Sequence, residues 1–186
     1  PQRFHAADIV QRYIVPSLEL ERRAACAHPS PEPQSLGIHI RHSDKRQSIR
    51  KILPVATFLP YCQAFVEAHP GRSIYLATDS AKVLDEIQTT WPSTVTKAIV
   101  VQPLVQGLSR NRTAAFDLTN INHHRTNLEA LTDILALSKC TYLIHGWSAM
   151  TEAVIYLNPD VQEIDVEDVE WKNPLHDFQQ MLKKER

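Results

Sequence analysis

From Leu36 onward the chain alternates short β-type runs with amphipathic helical runs, and this alternation constrains the fold more than any other feature of the sequence. The runs LGIHIR, SIYLAT, TKAIVV, TYLIH and VQEIDV read as strands. PVATFLPYCQAFVEAH, DSAKVLDEIQTTW, RTNLEALTDILALSK and SAMTEAVIYL read as the helices between them. Strands separated by about ten to fifteen helical residues specify right-handed βαβ units, hence a parallel sheet with helices on both faces. The expected fold class is therefore α/β and Rossmann-like. Ahead of it, apolar positions from Phe4 to Cys26 recur at helical intervals, with a break at Pro16 and a cap at Ser17. AHPSPEPQ, with three prolines, reads as a linker. The expected organisation is N-terminal helices and linker over 1–34 and a Rossmann-like domain over 35–186, together one domain and a fragment of a larger protein. A C-terminal run, LHDFQQMLKKER, reads as an amphipathic helix.

Charge narrows the partners. Twenty basic residues against 21 acidic ones leave no field of one sign to favour nucleic acid or a membrane surface, so an anion site must be local. No apolar run approaches the roughly 18 residues of a membrane span. Cys26, Cys62 and Cys140 are far apart and lack CxxC spacing, so they read as small core residues rather than as disulfides or zinc ligands.

In open parallel sheets ligands bind beyond the carboxyl ends of the strands. Three strand ends here deliver polar groups: Arg41, then Thr78-Asp79-Ser80, then His145-Gly146-Trp147-Ser148. Neither GxGxxG nor GxxxxGK[ST] is present, so a phosphate would be held by side chains and helix N-termini, with Arg41 offering a planar fork and Ser148 opening a helix. Each residue also has a purely structural reading. Arg41 and Asp44 can form an exposed ion pair, Asp79 can cap the next helix, and Ser148 is an ordinary helix start. Asp133 lies on a helix apolar around most of its circumference and needs a buried partner, either an arginine such as Arg41 or Arg125 or a polar ligand. Glu129, one turn earlier, is expected to be solvated. The long aperiodic stretch from Gln102 to His124 is expected to be functional or mobile.

GIHIRHSDK resembles the HxRxxDK motif of α1,6-fucosyltransferases and the related nodulation and protein O-fucosyltransferases. IYLATDS is similar to their second motif, and LTDILALSKCTYLIHGWSAMTEAVIYLNP to their third, in the same order and over roughly Phe4 to Asp165. The resemblance implies the C-terminal, donor-binding half of a GT-B glycosyltransferase, transferring fucose from GDP-fucose to a glycan or protein acceptor with inversion and without a metal. It implies a missing N-terminal half as partner, and a Golgi or endoplasmic-reticulum home in a eukaryote or a cytoplasmic one in a bacterium. Carried over, His39, Arg41, Asp44, Lys45, Asp79, Asp133 and Ser148 would bind the donor, with Arg41 on the pyrophosphate. The family's loop carboxylate has no counterpart between Asp44 and Glu67, which leaves His42 as the conceivable base. It also leaves open a non-catalytic relative that binds glycans or proteins, or an unrelated nucleotide-binding α/β domain. NRT at Asn111–Thr113 is a glycosylation sequon.

Overall fold

The computed structural model describes residues 2–28, 34–41, 52–102, 123–168 and 173–184. Two helices come first, α1 (Gln2–Tyr13) and α2 (Leu18–Ala27). The Ser17 Oγ accepts from Leu20 N at 3.3 Å, the cap expected from the sequence. There follow β1 (Leu36–Ile40), a 3₁₀ turn (Val55–Phe58) leading into α3 (Leu59–Ala68), β2 (Ile74–Thr78), α4 (Ala81–Thr90), α5 (Ser93–Thr96) and β3 (Ile99–Val100). The chain continues through α6 (His123–Ser138), β4 (Tyr142–His145), α7 (Ala149–Leu157), β5 (Gln162–Asp165) and α8 (Pro174–Lys184).

The five strands form one parallel sheet in the order β3-β2-β1-β4-β5. Successive residues of a strand face opposite sides, and both sides are covered. Leu36, Ile38, Ile40, Ile74, Leu76, Tyr142, Ile144 and Ile164 share one core with α3, α4, α5 and α8. Tyr75, Ala77 and Leu143 face the opposite core, built with Ala27, Ala136, Leu137, Val154 and Ile155 of α2, α6 and α7. The Rossmann-like sheet with helices on both faces is as expected. Gly37 is needed where α6 ends: an added Cβ would lie 2.9 Å from Leu137 Cδ2 and 3.2 Å from Cys140 Sγ.

Several local expectations are corrected. The third strand keeps two residues of the expected six, and the short α5 precedes it. The helix expected from Pro54 begins as a 3₁₀ turn. Cys62 and Cys140 are buried, as expected of small core residues, but Cys26 is exposed. Burial pushes the Cys140 thiol up to about 12 and raises that of Cys62 as well, which makes both inert. Among the described residues no helix is long and apolar enough to cross a membrane.

Candidate functional site

The strand order reverses direction between β1 and β4, and loops leaving neighbouring strands at such a point diverge and open a crevice. Arg41, half-buried, follows the last residue of β1. It lines a small cavity of about 10 Å³ with His39, Ile40, Leu53, Phe58 and Gly146. The carbonyl just before Arg41 is fixed from β2, because Thr78 Oγ1 donates to Ile40 O at 2.8 Å while accepting from Ser80 N at 3.3 Å. Thr78 thus ties together the ends of two strands.

Across the crevice, Ser148 is buried and caps α7, its Oγ accepting from Met150 N at 3.2 Å. The backbone ahead of it is clamped from β5. Glu167 Oε2 accepts from Trp147 N at 2.7 Å, and Glu167 N donates to Asp165 Oδ1 at 2.8 Å. A Cβ on Gly146 would lie 2.5 Å from Glu167 Oε2, so a larger residue there would displace the carboxylate that holds Trp147 N. α7 thus starts from a braced turn just after β4, and the start of a helix is a place suited to an anion.

His39 and His145 are buried register partners on adjacent strands. His145 faces an acceptor at each ring nitrogen, Gly146 O at 3.1 Å and Glu163 Oε2 at 3.0 Å. The other oxygen of Glu163 accepts from Arg3 Nη1 at 2.7 Å, and Arg3 Nη2 donates to Val161 O at 3.1 Å. This chain of contacts fastens α1 to the edge of the sheet.

Asp133 is buried, as expected, and its Oδ1 accepts from Tyr75 Oη at 2.6 Å and from Gln102 Nε2 at 3.4 Å. Its helix is not enclosed all round, because Leu131 is 44% exposed. Glu129 reverses its expectation. It is 6% exposed rather than solvated, and it pairs with Arg125 (Nε to Oε1 3.4 Å). Asp79 does not cap α4; the N-cap residue is Ser80, in extended backbone. His42, Asp44, Lys45 and the sequon lie outside the described residues, as does the 103–122 part of the aperiodic stretch. Thr78 was named only as part of a polar strand end, and Gln102 and Glu167 were not read as site residues, because the sequence carries no signal for contacts made between strand ends. Among the described residues no group of three or more His, Cys, Asp or Glu could hold a metal ion.

No protein-family model matches the chain, and no curated protein matches it. Solved structures do. NodZ α1,6-fucosyltransferase, from crystals soaked with GDP-fucose, aligns over 86% of this chain with a TM-score of 0.52 and 21% identity. The chain shares the fold of the part of this structure that it aligns with. NodZ co-crystallized with GDP aligns over 80% at a TM-score of 0.46 and 18% identity. The chain spans about half the length of these neighbours, 48% and 44%. At this identity the likeness establishes architecture, the α/β layering of the GT-B kind, and leaves the chemistry to the side chains.

Proposed function

We propose that this chain is the donor-binding, C-terminal half of a GT-B glycosyltransferase that transfers fucose from GDP-fucose to a glycan or protein acceptor with inversion. The observation that carries this reading is the placement of Arg41 and the N-terminus of α7 on the two sides of the switch-point crevice. Further support comes from the shared fold with NodZ, a fucosyltransferase solved from GDP-fucose-soaked crystals. As the glycosidic bond breaks, negative charge grows on the departing β-phosphate. A guanidinium and helix N–H groups aimed there bind the transition state more tightly than the ground state. The cations do the work that a metal performs in other transferases, so the reaction proceeds without one. Ser148 has a hydroxyl hydrogen to donate to a phosphate oxygen. Its Oγ already accepts from Met150 N, so the hydroxyl is oriented before the ligand arrives. In this reading His39, Asp44, Lys45 and Asp79 shape the donor pocket, His42 is the candidate base, and the acceptor is held largely by a further N-terminal half.

Calorimetric titration with GDP and ADP tests the reading. Wild-type chain binds GDP and not ADP, and Arg41→Ala weakens GDP at least tenfold, about the value of one charge-assisted hydrogen bond to phosphate. Unchanged GDP affinity in Arg41→Ala, or no GDP binding by the folded chain, would refute it.

A further inference from the structure

The carboxyl edge of the sheet carries one large apolar side chain that the proposed chemistry does not use. Among the described residues eight large hydrophobic side chains are exposed; six of them lie between Phe4 and Leu18, and a seventh is Leu131 on α6. The eighth is Trp147, 49% exposed, in the turn that leaves β4. Tryptophan is highly buried on average, and the turns that leave parallel strands are where ligands bind, so a half-exposed indole at this place points to a ligand that covers it.

The position of Trp147 is set by its neighbours in the chain. Gly146 on one side walls the small cavity that Arg41 also lines, and Ser148 on the other caps α7. Trp147 therefore stands one residue away from each side of the proposed phosphate site. Its turn is braced. The Trp147 N–H donates to Glu167 Oε2 at 2.7 Å, and Glu167 N donates in turn to Asp165 Oδ1 at the end of β5. A fixed backbone reduces the entropy lost when a ligand settles on the ring, and an indole offers a large contact area with only two side-chain torsions to order.

We propose that Trp147 is the platform for the acceptor, with a pyranose ring lying face-on against the indole beside the departing diphosphate. The proposal rests on the donor-binding reading and decides between the two acceptor classes which that reading left open. A pyranose presents C–H bonds on its flat face, and their weakly positive hydrogens suit the negative face of an aromatic ring. A peptide acceptor is gripped most readily as an added strand, and the crevice offers no strand edge. β1 is paired on both sides, by β2 and β4, and β4 is paired by β1 and β5. The outer strands of the sheet are β3 and β5, neither of which carries Arg41.

The test measures binding of cellotetraose, a β-linked glucose tetramer, to the GDP-loaded chain by saturation-transfer NMR, in wild type, Trp147→Ala and Trp147→Phe. An unstructured octapeptide rich in Ser and Thr represents the competing class. A platform reads the flat face that pyranoses share, so the probe need not be the natural acceptor. The contact with Glu167 uses the backbone N–H, which both variants keep, so the turn survives the substitutions. Wild type binds the tetramer and transfers saturation to its ring C–H protons. Trp147→Ala weakens that binding about tenfold and Trp147→Phe retains most of it, while all three proteins bind GDP alike. Equal tetramer affinity in wild type and Trp147→Ala, absence of tetramer binding by a chain that does bind GDP, or peptide binding that Trp147→Ala abolishes overturns this assignment and leaves the donor-binding reading standing. Failure of the wild type to bind GDP overturns both.

Discussion

His28 illustrates how much a single residue's surroundings decide. It follows α2, is buried, lies edge-on to Tyr75 with ring centroids 5.5 Å apart, and places Nε2 3.2 Å from Ser73 Oγ. Burial and then the nearby charge of Lys139 hold its pKa below the ordinary 6.5. The unfolded chain therefore takes up a proton at higher pH than the folded one. The contribution is fully present above about pH 6.5 and is lost as pH falls from there through the lowered folded value, at no more than about 1.4 kcal/mol per pH unit. Urea unfolding between pH 7.5 and 5.5 checks this: stability falls with acid, and His28→Gln flattens that part of the profile. The same scale explains what the sequence could and could not disclose about the site. Arg41 and Ser148 are legible because they interrupt apolar runs at strand ends, and strand ends are where parallel sheets bind ligands. Glu129 is not. Its burial depends on which side α2 covers, a tertiary fact that helical periodicity does not contain. The bonds that Glu167 and Thr78 make are hidden for a related reason, since Trp147 follows β4 and Ile40 ends β1.

Elements were more legible than residues. β1, β2 and β4 are buried on both faces and therefore read as continuous or alternating apolar runs of β-formers. β3 and β5 are only partly buried, and β3 pairs through just two residues, so its apolar run overstated its length. The short α5 covers four residues, fewer than periodicity can resolve. α8 was read correctly as an amphipathic helix, with Phe178 and Leu182 buried and lysines in its last turn. It docks on α3 and β5, and Phe178 meets Tyr61 of α3 and Tyr142 of β4 at centroid distances of 5.8 and 5.7 Å. Truncating that anchor leaves a cavity between two rings, so Phe178→Ala is expected to cost about 3–5 kcal/mol in chemical denaturation. A loss below about 1 kcal/mol would mean that α8 contributes little to holding the sheet.

At the scale of the whole molecule, the strand order places one crevice at the centre of the sheet, with β1 and β4 as its walls. A ligand bound there touches both halves of the sheet and stabilises the folded chain as a unit. At one hundred times its dissociation constant GDP should raise the unfolding free energy by about 2.7 kcal/mol, read as an upward shift in thermal midpoint that ADP does not produce. The same order separates synthesis from assembly. β1 pairs on one side with β2, which follows it closely, and on the other with β4, whose Tyr142 meets Leu36 only after α4, β3 and α6 have been made. Until then the central strand of the finished sheet is an edge strand, with unpaired backbone groups and apolar side chains on both faces. The strand that carries Arg41 is thus the one most open to mispairing while the chain is being made, and the arrival of β4 both closes that edge and creates the crevice.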